Sequence, residues 1–421
     1  MIQTMELLPG VTLRCCRDKR FKQNCMTFQF VQTASAQTAS LDALLPSVLL
    51  RGCRSYPTLQ AVANRADALY GAAVGTLVRT VGDYHTTGLS FSMMDERFAL
   101  PGDQILAPMI GLLEELLLEP VLEEGVFCEA FVEQEKRNLL QFIDSNMDNK
   151  QAYALHKLGM LMAREDPFYV PRLGEPEIIR EITPRTLYAH YRKLLRESRF
   201  ELFYVGSASL EQVAERIRPL VSRLDRDYKP LPPHTGFHPS QGQDVCEVMD
   251  ITQGKLCMGF VSTIDNRSYD LPALVLLNLI FGGGMTSKLF MNVREKLSLC
   301  YSVGSSLRGA KGMIFVYAGI DCDKEAVTRQ EILHQLDLCR QGEITPEELE
   351  AARTYILSSL STVYDAPRSI ESTFFTDAIT GSVLKHEEYI QAIQKVTLEQ
   401  VIAAANTITL HSTLFLKGAT E

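Results

Sequence analysis

The sequence predicts an α+β protein built from two tandem, duplicated domains, and three observations lead there. Strand-like and helix-like stretches of the second half follow one another in the order of the first half. A stretch rich in proline, glycine and polar residues, Asp225 to Asp244, parts the halves as a linker would. The 421 residues also exceed what one hydrophobic core normally holds. The expected divisions are 1–224, a linker at 225–245, and 246–421.

The elements can be justified in order. Val11 to Gln32 holds opening strands, with Thr27, Phe28, Phe30 and Val31 β-prone. Asp42 to Leu50 is mostly apolar, and Leu59, Val62, Ala63, Ala66 and Leu69 line one side of a second helix that Gly71 ends. Strands are expected at Thr76 to Val81 and Thr86 to Met94, and helices at Ile105 to Leu118 and around Val126 to Phe142. Thr183 caps a helix that opens on Pro184 and runs to about Leu195, before a strand at Phe200 to Val205. The second half then gives a strand at Leu256 to Ser262, an apolar helix from Leu271, another helix, and strands at Tyr301 to Leu307 and Met313 to Ile320. Capping boxes at Thr345 to Glu348 and Thr397 to Gln400 start two more helices, and Thr413 to Lys417 closes the chain as a strand. The repeat offset is roughly 210 to 225 residues, which marks a duplicated unit.

Composition excludes several classes of function. Lys plus Arg number 42 against 51 Asp plus Glu, and the net charge of −9 argues against a nucleic-acid partner. No apolar run approaches a membrane span, and the N-terminal residues lack a signal pattern, so a cytoplasmic protein is expected. The ten cysteines form no C-x-x-C pair and read as reduced core thiols.

The stretch from Phe281 to Tyr301 carries the most chemistry. An apolar run from Leu271 to Phe281 meets Gly282, Gly283 and Gly284, where a tight bend is expected. Thr286 can cap a following helix with Leu289, Val293 and Leu297 on one side, leaving Arg294 beside it and Tyr301 at the head of a strand. The pattern G-x-x-x-x-G-K-[ST] is not met, so the glycines are no phosphate cradle. On pattern alone, Arg294 is an ordinary solvated charge and Tyr301 a half-buried packing residue. Of the eight histidines only His234 and His238 stand four apart, without a glutamate between them in either zincin order, and they fall in the linker. The sequence offers no self-contained active site.

The run F-G-G-G-M-T-S-K-L-F-x-x-V-R-E-K-x-x-L-x-Y-S resembles the second-domain signature of the pitrilysin/insulinase-like (inverzincin) metallopeptidases, the mitochondrial-processing-peptidase-like family. Gly174, Ile182-Thr183-Pro184 and Tyr188 to Arg192 resemble the end of that family's first domain, so the likeness spans nearly the whole chain. It implies two duplicated α+β domains. The family's zinc motif H-x-x-E-H falls where this chain has Ala43-Leu44-Leu45-Pro46-Ser47, and its distal glutamate ligand falls at Phe142. Glu135 matches a second family glutamate, and the substrate-lining Asn-Ala of the edge strand reads Leu77-Val78. Arg294 and Tyr301 match the pair that active relatives bring to the scissile peptide.

By resemblance, then, the chain is a non-catalytic subunit that binds no zinc itself. It would supply Arg294 and Tyr301, for substrate binding and transition-state stabilisation, to a zinc-bearing paralogue in a heterodimer, or else form a homodimer. The resemblance is closest to the proteins associated with the aminopentanol modification of elongation factor P in Gram-positive bacteria, on Leu8 to Val11 and Leu69 to Ala72. The rival expectation is a peptide-binding or assembly protein with no proteolytic role.

Overall fold

The computed structural model describes residues 2–147, 149–163 and 166–418. In the first half the strands are β1 (Ile2–Leu8), β2 (Val11–Arg17), β3 (Gln23–Thr33), β4 (Ala73–Val81), β5 (Tyr84–Met94), the short pair β6 (Leu122–Glu123) and β7 (Val126–Phe127), and β8 (Arg199–Gly206). Its helices are α1 (Ala36–Leu50), α2 (Leu59–Asp67), α3 (Leu106–Leu118), α4 (Glu129–Met147), α5 (Lys150–Met162), α6 (Pro176–Glu181), α7 (Pro184–Glu197) and α8 (Leu210–Ser222). The second half holds strands β9 (Asp244–Met249), β10 (Gly254–Val261), β11 (Ser302–Arg308), β12 (Met313–Ile320) and β13 (Thr409–Gly418). With them come helices α9 (Leu271–Asn278), α10 (Glu325–Arg340), α11 (Pro346–Ser361), α12 (Pro367–Thr380), α13 (His386–Lys395) and α14 (Leu398–Asn406).

The expected caps are in place. Thr183 accepts from the Thr186 N–H with Pro184 in the first turn of α7, and Thr345 with Glu348 and Thr397 with Gln400 close capping boxes on α11 and α14. Helix α4 starts later than its apolar pattern suggests. The pair β6–β7 turns on Glu124 and Gly125, both at positive φ, and occupies the residues before Glu129.

Duplication is written in the sheet topology. The first sheet runs β1-β2-β8-β3-β5-β4, and the second, taken from its other edge, β9-β13-β10-β12-β11. From β2 onward the orders correspond strand for strand. The senses correspond too, since β2 lies parallel to β8 as β9 does to β13, while the other neighbours are antiparallel. Strand β1 alone has no counterpart.

Each compact unit draws chain from both halves. The first comprises 1–144, 170–234 and 363–379, and the second 145–169, 235–362 and 380–421. The reason is that each sheet is apolar on both faces. Alternate residues of the first sheet, Met26, Phe28, Phe30, Leu89 and Phe91, pack under α1, α3 and α7 in one core. Val31, Tyr84, Phe203 and Val205 point the other way and are covered by Ile370, Phe375 and Ile379 of α12. In the second sheet Leu256, Met258, Phe260, Ile314 and Val316 face α9, α10 and α14, whereas Cys257, Phe315, Leu414 and Leu416 meet Ala154, Leu158 and Met162 of α5. Gly259 of β10 admits that helix, because a Cβ there would sit 2.1 Å from Met162 Sδ. An ion pair with a fully buried carboxylate accompanies each exchanged segment. Glu371 of α12 pairs with Arg79 of β4 at 2.8 Å and accepts from Thr27 and Gln29. Asp166, just beyond α5, pairs with Lys311 at 3.0 Å.

The glycine stretch differs from the expected bend. After α9 the helix continues through Leu279–Gly283 in a widened, π-type turn that includes Gly282 and Gly283, and only Gly284 leaves it in an extended conformation. Gly282 is required by proximity, since a Cβ there would lie 2.7 Å from both Leu289 Cδ1 and Ser305 Oγ of β11. Ser287, not Thr286, caps the next segment through its hydroxyl and the Phe290 N–H at 3.3 Å. That segment, Leu289–Lys296, is also π-helical, so its side chains advance by less than 100° per residue. Leu289 and Val293 are buried, whereas Leu297, at the C-cap just beyond the segment, is exposed. The segment ends on a Schellman turn: Leu299 N–H reaches Val293 O, Ser298 N–H reaches Arg294 O, and Ser298 takes the left-handed conformation with φ 49°.

Two outcomes test this fold. Glu371→Ala should cost about 3 kcal/mol in urea unfolding, because it strands the Arg79 guanidinium, and replacing both partners by leucine should recover much of it. Burial pushes the Asp377 carboxyl of α12 up from 3.8 to about 6. Protonation is then favoured in the folded state, so the cost is absent below the unfolded value and complete above the folded one. Asp377→Asn should therefore stabilise by about 1–3 kcal/mol at pH 8 and change little at pH 4. Equal effects at both pH values would refute the assignment.

Candidate functional site

On α1, Ala43 and Pro46 are buried and Ser47 half-buried, while Phe142 of α4 is 50% exposed. These residues supply no imidazole or carboxylate where four-coordinate zinc needs three protein ligands, and the serine hydroxyl is a poor substitute. Among the described residues, no group of three or more His, Cys, Asp or Glu side chains is placed to hold a metal ion. The donor set does not fit zinc.

What stands in the neighbourhood of these positions is a closed hydrogen-bond system that the sequence reading missed. Pro46 has no N–H, so the Asp42 carbonyl one turn back loses its helical partner. The Thr87 hydroxyl of β5 donates to that carbonyl at 2.6 Å. The Asp42 carboxylate, 1% exposed, accepts from His190 Nε2 of α7 at 2.7 Å and from Gln32 of β3. Asp42 thus ties one helix to a second helix and two strands. Only the polar aspartate inside an apolar helix could have signalled this, since its histidine lies far along the chain. His85, beside it on β5, donates through Nε2 to Val170 O at 3.2 Å, and burial lowers its basicity below the ordinary histidine value. Glu135 is likewise engaged, by Arg51 Nη1 at 3.1 Å and Asn138 at 3.1 Å. At the sheet edge, Leu77 is buried and the Val78 carbonyl accepts from Arg172 at 3.2 Å. His234 and His238 fall in different units, with His234 beside Asp83 at 3.0 Å.

In the second unit the structure brings Arg294 and Tyr301 together. The Schellman turn folds the seven-residue span back, so that Arg294 Nε donates to the Tyr301 carbonyl at 3.0 Å while the guanidinium lies 4.6 Å over the Phe290 ring. Glu295 flanks it at 3.2 Å. The Tyr301 N–H is bound to Gly319 O at 2.8 Å, which fixes the residue beside the end of β12. Its side chain is 62% exposed, and its hydroxyl donates to Asp321 Oδ1 at 2.9 Å. That bond holds the phenol above its ordinary pKa; Lys324 at 3.0 Å and then Tyr301 hold the Asp321 carboxyl below its own. Met285, Met291 and Leu297 are also exposed on this part of the chain. The corner is an ordered cation and phenol, presented to solvent on rigid elements.

Comparison with known proteins places these features. Residues 181–356, which include Arg294 and Tyr301, match the family model described as the peptidase M16 inactive domain. A Bacillus subtilis protein named "Probable inactive metalloprotease YmfF" is 29% identical over 409 residues, covering 97% of this chain and 96% of that protein. A conserved protein from Enterococcus faecalis superposes with a TM-score of 0.92 at 26% identity, over 100% of this chain and 99% of the other. A peptidase M16 inactive domain from Pseudomonas fluorescens superposes at 0.82 with 18% identity, over 100% and 98%, and so shares the fold. The inactive-domain match and the name of the Bacillus protein agree with a chain that binds no zinc. Among the described residues no helix is long and apolar enough to cross a membrane. Read with the duplicated sheets, these likenesses support an inactive protein similar to the M16 (pitrilysin/insulinase-like) peptidases.

Proposed function

We propose that this chain is the metal-free subunit of an M16-type peptidase pair, presenting Arg294 and Tyr301 to a peptide held at the zinc of a paralogous subunit. The observation that carries this reading is the contrast between the two parts of the family's chemistry. The ligand positions Ala43, Pro46, Ser47 and Phe142 are empty of donors, whereas Arg294 and Tyr301 sit together, ordered and exposed. Arg294 brings a permanent charge that can anchor a peptide carbonyl and offset negative charge growing on it during attack. The partner's zinc would supply the activated water; this chain would position the peptide. The setting we infer is the aminopentanol modification of elongation factor P, in the cytoplasm.

A second reading is an assembly or peptide-binding protein with no proteolytic role, whether homodimeric or not; the edge of the first sheet favours its assembly form and weighs against addition of a peptide strand. There Arg172 occupies a main-chain carbonyl that an added peptide strand would use.

The experiment is reconstitution with a paralogue that retains H-x-x-E-H. The isolated chain should carry no stoichiometric zinc by elemental analysis, the mixture should form a heterodimer by light scattering, and only the mixture should cleave an unstructured polypeptide such as casein. Within that dimer Arg294→Ala should lower turnover on the order of 10²-fold. One tightly held zinc in the isolated chain would refute the reading, as would wild-type turnover by the Arg294→Ala pair.

A further inference from the structure

Asp321 is a third member of the Arg294–Tyr301 corner, and it decides what the tyrosine can do. A phenol carries one proton and two lone pairs. Here the proton is committed to Asp321 Oδ1 at 2.9 Å, and the other carboxylate oxygen takes Lys324 Nζ at 3.0 Å. Lys324 is itself aimed by its N–H to Asp321 O at 3.0 Å. The carboxylate is therefore gripped from both sides and cannot turn away without losing an ion pair. On the tyrosine side, the Gly319 and Arg294 bonds fix the backbone on both faces of its peptide. What Tyr301 shows to solvent is the oxygen's lone pairs.

We propose that Asp321 is a positioning residue that sets Tyr301 as a hydrogen-bond acceptor, so that the hydroxyl grips a backbone N–H of an extended peptide instead of donating to its carbonyl oxygen. This rests on the proposed function and refines it, dividing the work between the two residues. Arg294 addresses peptide oxygen, and Tyr301 addresses peptide nitrogen. A donor aimed at a developing oxyanion acts on the transition state and appears in kcat, whereas an acceptor for a peptide N–H acts on bound substrate and transition state alike and appears in KM.

The test uses the reconstituted heterodimer and a fluorogenic casein-derived peptide. Tyr301→Phe and Asp321→Ala should each raise KM about 3- to 10-fold, the size of one neutral hydrogen bond, with kcat within about twofold of wild type. Asp321→Glu should restore part of the loss, which a merely structural role would not require. A fall in kcat on the order of 10²-fold with KM unchanged in Tyr301→Phe would overturn the inference in favour of an oxyanion donor. So would an unchanged KM in Asp321→Ala. A second measurement needs no partner: ring-labelled tyrosine titrated by NMR in the isolated chain. There Asp321→Asn should bring the Tyr301 titration down towards the ordinary phenol value. An unmoved titration sinks the inference by itself, while a heterodimer that never forms, or never cleaves, sinks the proposed function instead.

Discussion

The carboxylate of Glu371 is the constraint from which much of this molecule follows. It is fully buried against a sheet whose second face carries threonine and glutamine among valines and aromatics, and it has the Arg79 guanidinium as counter-charge. Apolar contact alone would let a helix slide along such a face, since dispersion is not directional. A charge with three partners in one place cannot slide without leaving them unsatisfied. The second unit repeats the device with Asp166 and Lys311, both at 0% side-chain exposure. In each unit a segment borrowed from the other half of the chain is seated by apolar packing and held in register by one buried ion pair.

The surroundings of Ala43, Pro46 and Ser47 form a hydrogen-bond system of their own. Asp42 cross-links α1 to α7 and β3 through its carboxylate, and the proline that disrupts α1 is answered by Thr87 of β5. Such a system saturates its own donors and acceptors, which suits it to structure and unsuits it to catalysis. The corner at Arg294 is the opposite case, since its polar groups are oriented by protein yet remain open to solvent.

Local chemistry made part of this legible. Thr183-Pro184, Thr345 to Glu348 and Thr397 to Gln400 announce helix starts because capping is a matter of a few consecutive residues. The same signal, Ser209 with Gln212, opens α8 and was passed over. Strand β1 was missed because an edge strand half in water has no clean apolar alternation to show. Helix α5 and its role could not be read from its own residues, because the sheet it covers lies in the other half of the sequence. At the candidate site, the identities of Arg294 and Tyr301 were visible through resemblance, but the π-helical winding and the Ser287 hydroxyl at its start were not. Neither was Asp321, whose partner is twenty residues away across a strand pair.

The exchanged segments also bear on how the protein is made. All strands of the first sheet exist once residue 206 has been synthesised, but the helix that covers its second face begins at Pro367. At 5–20 residues per second, the interval between the two lasts on the order of ten to thirty seconds. Throughout it Val31, Tyr84, Phe203 and Val205 lack their cover, and Arg79 lacks its counter-charge. The nascent chain must therefore carry an incomplete domain on the ribosome until nearly all of it has been translated, an interval in which a ribosome-bound holdase has an apolar sheet face to bind.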